Sequence, residues 1–168
     1  MLAGLTWVKV FNHNTAGGMF SRVNRDLVRN FNSDDPDANL YSILDQMENY
    51  RINGLFHIRF CYPGYTSDEF PCNEWTQSSN FLEESEVVDY KPIRISYEKC
   101  YGTIDFGGLK KNTLSYFSYF VATCYSWYFG VGYGYSNGGS TYEGAMGRPW
   151  VSHSEIYLLA GNPTKLKS

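Results

Sequence analysis

The feature that most constrains the fold is an alternation of apolar and polar residues with a period of two, which recurs in separate segments of the chain. It is clearest in "LFHIRFCY", residues 55–62, where one face of an extended chain would carry Phe56, Ile58, Phe60 and Tyr62. "TWVKVFNH", "PIRISYE" and "SEIYLLAG" predict further strands. The alternation over residues 114–135 is longer than one strand usually runs, so it predicts two strands or one bent strand. Aromatic residues make up 18% of the chain and favour strands.

Two helices are predicted in the N-terminal third, before the strand-rich part of the chain. "SRVNRDLVRNF", residues 21–31, places its apolar residues on one helical face, with Ser21 as the N-cap. In the second, Asp35 is the cap and Pro36 takes the first helical position. Its apolar stripe consists of Leu40, Ile43, Leu44, Met47 and Tyr50. Helices followed by strands predict one α+β domain over residues 1–168, with a mainly antiparallel sheet or sandwich.

Composition and charge exclude several classes of function. Hydrophobic residues at 43% and charged residues at 18% indicate a folded chain. The formal net charge is −3 and the Lys and Arg residues are scattered, whereas nucleic-acid binding needs a basic patch. No apolar run approaches the roughly 20 residues of a membrane-spanning helix, so membrane insertion is not expected.

The four cysteines predict disulfide bonds and, with them, secretion. Cys61, Cys72, Cys100 and Cys124 allow three pairings, and none belongs to a C-x-x-C motif or a zinc-finger spacing. Cys61 and Cys72 flank a loop that contains Pro and Gly, which makes them the favoured pair and leaves Cys100 for Cys124. The alternative is a cytosolic protein with four buried thiols.

The stretch "YFGVGYGYSNGG", residues 128–139, sets glycine at every second position. A dinucleotide-binding motif needs a third glycine where this chain has Tyr135, so a phosphate cradle is excluded. The glycines give a strand face without side chains, which suits tight packing or a flat platform for a sugar. The second interpretation makes Tyr133, Tyr135 and Asn137 candidate ligand contacts.

Two polar stretches combine an indole with amides and carboxylates, the groups that sugar sites use for stacking and hydrogen bonding. "CNEWTQSSN" supplies Asn73, Glu74, Trp75 and Gln77, and "GRPWVSHSE" supplies Trp150 and His153. Trp75 and Trp150 are therefore predicted to be exposed in loops, while Trp7 and Trp127 are predicted to pack inside. A loop rich in bonds between side chains and backbone would look the same.

Neither a catalytic nor a metal-binding set is predicted. The three histidines are isolated along the chain, and the carboxylates of "LEESEVVD" are typical of a solvated loop. "DDPDAN" resembles the start of a calcium loop, but Leu40 and Gln46 stand where an EF-hand needs Gly and Glu. We therefore expect a protein that is not an enzyme and that has no cofactor and no metal.

The ordered set "WVKVF", "GGMF", "YSILDQMENYR", "FHIRFCYP", "CNEWTQSSN" and "SEIYLL" resembles a group of secreted proteins from cnidarians and other marine invertebrates. That group is loosely similar to fibrinogen-C-terminal-like and intelectin-like lectin domains. The resemblance covers roughly residues 5–100 and the last strand, and it implies secretion and recognition of glycans or glycoproteins. The alternative is a Tyr- and Gly-rich extracellular protein with a structural, adhesive or self-assembling role. Either function allows a homo-oligomer.

Overall fold

The computed structural model describes residues 4–14, 27–64, 69–96, 99–101, 104–111, 120–123, 130–131, 141–142, 150–151 and 153–161. The strands of the largest sheet are β1 (Leu5–Asn14), β2 (Leu40–Ser42), β3 (Phe56–Cys61), β4 (Cys72–Gln77), β5 (Lys91–Ile95) and β13 (His153–Gly161). The other strands are β6 (Lys99–Tyr101), β7 (Ile104–Asp105), β8 (Leu109–Lys111), β9 (Phe120–Ala122), β10 (Gly130–Val131), β11 (Thr141–Tyr142) and β12 (Trp150–Val151). A 3-10 helix spans Leu44–Tyr50. Within these ranges, no helix has the length and apolar character needed to cross a membrane.

A six-stranded sheet with the order β2-β1-β13-β3-β4-β5 forms the centre of the fold. Every neighbouring pair in it is antiparallel, which confirms the predicted antiparallel sheet. The first and last strands of the chain pair over almost their whole length, from Leu5 opposite Gly161 to Asn14 opposite His153. A smaller sheet, β10-β9-β8, contributes buried side chains to the same core, among them Leu109, Phe120 and Ala122.

The six-stranded sheet has an inner face on the core and an outer face that carries most of its charged side chains. Ile58 and Ile156 are fully buried on the inner face, where the aromatic ring of Phe11 lies 5.9 Å from that of Phe120. On the outer face, cross-strand neighbours include Lys9 opposite Tyr157, and Arg59 opposite both Tyr157 and Glu74. Directly opposed residues of an antiparallel pair share a face, so these side chains form one continuous surface.

A β-bulge in β1 decides which of its aromatic residues enters the core. The register shifts between Lys9 and Phe11, so Val10 is the extra residue and both Val10 and Phe11 are buried. Simple alternation would place Trp7, Lys9 and Phe11 on one face. With the bulge, Phe11 turns to the inner face while Trp7 and Lys9 stay on the outer face. The prediction that Trp7 packs inside the protein is therefore wrong, since its side chain is half-buried on the outer face.

The two predicted N-terminal helices are not confirmed. Residues 21–26 of the first lie outside the described residues, and residues 27–29 form a single 3-10 turn. In the second, Asp35 accepts a hydrogen bond from the Asp37 backbone N–H within a turn, and Leu40–Ser42 forms β2. Only the later part is helical, as the 3-10 helix that buries Leu44 and Met47. Pairing of β2 with β1 satisfies backbone groups that a longer helix would have used, so tertiary hydrogen bonds override the local helical pattern.

A disulfide bond joins Cys61 to Cys72, as predicted, at the end of β3 and the start of β4. The two residues are direct cross-strand neighbours with Cα atoms 4.0 Å apart, and both are buried. Just beyond the bridge, the Tyr62 backbone N–H donates to the Pro71 carbonyl at 2.9 Å. The predicted pairing of Cys100 with Cys124 involves a residue outside the described part of the chain.

We expect the Cys61→Ser/Cys72→Ser double variant to unfold about 2–3 kcal/mol more easily than the wild type. The bridge closes a loop with a sequence separation of 11, and restriction of the unfolded chain by such a loop accounts for that amount. Chemical denaturation of both proteins measures the difference. Ser96→Ala serves as the control, because it removes only the side-chain hydrogen bond from Ser96 to the Phe70 carbonyl of the same loop. Equal stability of the double variant and the wild type would contradict the prediction.

Candidate functional site

The stretch "CNEWTQSSN" is a strand and a following turn, not an exposed loop. Residues 72–77 form β4, whose alternation places Asn73, Trp75 and Gln77 on the inner face and leaves Glu74 on the outer face. Trp75 is fully buried, opposite Ile58. The prediction of an exposed Trp75 that stacks on a ligand is therefore wrong, and the predicted contacts from this stretch do not converge on one surface.

The buried polar groups of this stretch form a hydrogen-bond network centred on the side chain of Gln77. Its side-chain carbonyl accepts hydrogen bonds from Trp75 Nε1 at 2.8 Å and from the Leu109 backbone N–H at 3.1 Å. Its amide donates to the carbonyls of Ser79 and Leu109, at 2.9 and 3.0 Å. These bonds fix β8 to β4. Gly108, with φ +102°, packs so closely that an added Cβ would lie 2.7 Å from Gln77 Oε1.

Of the other predicted contacts, the structure places only His153 on the outer face. Its Nε2 donates to Asn12 Oδ1 at 2.7 Å and lies 3.7 Å from Glu155 Oε2. Trp150 belongs to β12, opposite Tyr142, and its side chain is not among those described. The predicted contacts Tyr133, Tyr135 and Asn137 lie outside the described residues, as does Trp127.

An open groove of about 470 Å³ runs over the outer face, where the loop that precedes β4 folds against β3, β13 and β1. We call it the outer groove. The residues that line it are Trp7, Arg59, Cys61, Pro63, Glu69, Phe70, Pro71, Cys72, Glu155 and Tyr157. Three aromatic side chains and three charged ones thus face one concavity, supplied by three strands and the disulfide-closed loop.

Aromatic rings and guanidinium groups stack across this face. The Arg59 guanidinium carbon lies 4.2 Å from the centroid of the Trp7 ring and 5.2 Å from that of Phe70. On Phe70 a second guanidinium, that of Arg94, lies 4.1 Å from the ring centroid. Such cation–π contacts hold both partners in place. The position of Phe70 over the sheet is therefore maintained by two cations and by the loop that the disulfide closes.

The charged side chains of the outer face are held by ion pairs and hydrogen bonds to neighbouring side chains. Arg59 Nη2 and Nε both donate to Glu74 Oε1, at 2.8 and 3.1 Å. On the β1 side, Lys9 Nζ pairs with Glu155 Oε2 at 2.8 Å, and the Tyr157 hydroxyl donates to Glu155 Oε1 at 2.9 Å. Both pairs are partly shielded from water, so they hold the side chains of the groove in defined positions more firmly than an exposed pair would.

Burial and the adjacent carboxylate control ionisation of the tyrosine. Partial burial raises the pKa of Tyr157, and both the charge of Glu155 and the hydrogen bond to it raise the pKa further, against a smaller opposing effect of Arg59. The hydroxyl is therefore a neutral hydrogen-bond donor throughout the physiological range. It already donates a hydrogen bond to Glu155, so it positions that carboxylate.

We expect the stability of the protein to fall as the pH is lowered below about 6.5, in part through His57 and His153. Burial lowers the pKa of both residues below the ordinary histidine value of 6.5, and the charge of Glu74 partly opposes this at His57. At His153 the charge of Glu155 partly opposes the effect of burial, while the charge of Lys9 lowers the pKa further. The unfolded chain then binds more protons than the folded one. The stability is complete above the unfolded pKa and is lost as the pH falls toward the folded values.

Denaturation midpoints at about pH 7.5 and about pH 5.5 measure this dependence. The His57→Gln/His153→Gln variant should lose less stability between the two pH values than the wild type. The same loss in both proteins would show that other groups are responsible for the acid sensitivity.

The groove residues that sequence analysis missed include Trp7, Arg59, Phe70 and Tyr157. A signal for three of them was present, because residues two positions apart in a strand share a face. Trp7 lies two positions from Lys9, and Tyr157 lies two positions from Glu155, so each shares a strand face with a charged residue. Arg59 lies between Ile58 and Phe60 in the chain and therefore points to the face opposite these apolar residues. Charged residues avoid the core, so this alternation marks an outer face. Phe70 lies in the loop before β4, where no periodicity indicates its position.

Within the described ranges, no group of three or more His, Cys, Asp or Glu side chains is arranged to hold a metal ion. Comparison of the chain with known protein families, with curated proteins and with solved structures finds no match. The groove chemistry is therefore the basis for a functional proposal.

Proposed function

We propose that this protein is a secreted, non-enzymatic carbohydrate-binding protein that binds glycans or glycoproteins in the outer groove. The observation that carries the proposal is the convergence of Trp7, Phe70 and Tyr157 with charged hydrogen-bonding side chains in one open concavity. Sugars present apolar C–H faces beside hydroxyls, and a site for them combines aromatic rings with fixed polar groups. The Arg59 guanidinium stacks on the Trp7 indole, which is half-buried and presents its accessible surface to the groove.

The proposed site differs from the one that the polar sequence stretches predict. Glu74 still contributes, because its pair with Arg59 fixes the guanidinium next to Trp7. The buried residues Asn73, Trp75 and Gln77 support the site from the opposite face of the same strand. Secretion is supported by the Cys61–Cys72 bond, since disulfides form and persist in oxidising compartments.

A glycan array probed with the purified, oxidised protein tests the proposal. We expect reversible binding to a subset of glycans, with each bound glycan recovered chemically unchanged. Sedimentation at several protein concentrations is run alongside. Binding to no glycan, combined with assembly that grows with concentration, would refute the proposal and favour the self-assembling matrix protein.

A further inference from the structure

We infer that the outer groove selects uncharged sugars over acidic ones and that the Glu69 carboxylate accepts hydrogen bonds from their hydroxyls. This inference rests on the proposed function and names the class of glycan that the site binds. It follows from the charges that face the groove and from which of them are already paired.

Among the described residues, Arg59 is the cation that lines the groove, and it and the neighbouring Lys9 are already paired with carboxylates. Lys9 is paired with Glu155, with the two charged atoms 2.8 Å apart, and Arg59 is paired with Glu74, also at 2.8 Å. An acidic ligand would have to compete with these partly buried carboxylates for either cation. It would also approach Glu155 itself, which lines the groove. Repulsion between the carboxylate of Glu155 and a ligand of the same charge disfavours that binding.

Glu69 is the groove-lining carboxylate that remains available to a ligand. Its side chain is exposed and lines the groove next to Phe70. In the part of the chain that the structure describes, it takes part in no ion pair or hydrogen bond. An ionised carboxylate accepts hydrogen bonds from hydroxyls more strongly than a neutral group does, and it repels carboxylates and sulfates. Its position beside an aromatic ring suits a sugar that contacts Phe70 and donates its hydroxyls to Glu69.

In the described ranges, Arg94 is the cation near the groove that has no carboxylate partner and that an acidic sugar could still use. Its guanidinium stacks on Phe70, but Arg94 does not line the groove. A ligand that reached it would lie over Phe70, next to the Glu69 carboxylate. Because Arg94 also stacks on Phe70, its loss should affect the two members of a pair of uncharged and acidic glycans alike, whereas recognition of acidic sugars through Arg94 would make its loss weaken the acidic member selectively.

The experiment compares Glu69→Gln with Glu86→Gln, a control that removes the same charge from an exposed position that does not line the groove. Affinities are measured for matched pairs of glycans that differ only in a carboxylate or a sulfate. For uncharged glycans we expect Glu69→Gln to weaken binding about fivefold, the difference between hydrogen bonds to charged and to neutral acceptors. Acidic glycans should bind this variant more tightly than the wild type. Glu86→Gln should change neither affinity.

The outcomes separate the inference from the proposed function. Tighter binding of the acidic member of each pair by the wild type would overturn the inference while leaving carbohydrate binding intact. So would affinities unchanged in Glu69→Gln, or a loss of binding in Arg94→Gln that is confined to the acidic member of each pair. Binding of neither member of any pair would refute the proposed function, and the inference with it.

Discussion

Trp75→Ala is expected to lower the free energy of unfolding by about 3–5 kcal/mol, more than the loss of the disulfide bond. The side chain is fully buried, and its ring packs edge-on against Phe106 with the centroids 4.8 Å apart. Truncation also removes the Nε1 donor to Gln77, one of the bonds that fix β8 to β4. The loss therefore combines a large cavity with a broken buried hydrogen bond.

Thermal and chemical denaturation measure this loss, and the adjacent residue provides the matched control. Glu74→Gln changes the neighbouring position on the outer face, where a partly exposed ion pair contributes at most about 1 kcal/mol. A Trp75→Ala variant that kept the wild-type melting temperature but lost glycan affinity would restore the exposed-loop interpretation. With the indole buried, we expect the opposite pattern.

Trp7→Ala is expected to weaken glycan binding roughly tenfold, since an indole in contact with a sugar contributes on the order of 1–2 kcal/mol. The indole is half-buried at the groove and is the widest ring that lines it. The substitution also removes the surface on which the Arg59 guanidinium stacks. Part of the loss therefore arises from a guanidinium that is held less firmly, although its bonds to Glu74 remain.

Titration calorimetry with a glycan identified on the array measures the effect. Trp7→Phe is the control, because it keeps an aromatic surface for Arg59 and for the sugar and should recover most of the affinity. The melting temperature of Trp7→Ala should fall less than that of Trp75→Ala, because the indole of Trp7 is not part of the core. Unchanged affinity in Trp7→Ala would remove the indole from the site and with it the main support for binding in this groove.

Local pattern determined four of the six strands of the central sheet and the bond between Cys61 and Cys72. Alternation identified β1, β3, β5 and β13, because a half-buried strand must separate apolar from polar side chains with a period of two. The Cys61–Cys72 bond was predictable because only a short loop separates the two cysteines, and residues that are close in sequence are easily brought together in space. Both predictions depend on interactions between residues close in sequence.

Tertiary structure alone decided the helices and the candidate site. The second predicted helix gives way to β2 because its backbone groups find partners in β1, about 30 residues earlier in the chain. A bulge at Val10 sends Phe11 inward and leaves Trp7 outside, and no local pattern specifies a bulge. The polar neighbours of Trp75 predict an exposed loop, but the indole N–H donates to Gln77, and the Gln77 amide donates to the Leu109 carbonyl, so these polar groups are satisfied inside the protein.

The outer groove exists because β13, from the end of the chain, inserts between β1 and β3. That places Tyr157 and Glu155 beside Trp7 and Arg59, and long-range strand pairing of this kind leaves no periodic trace in the sequence.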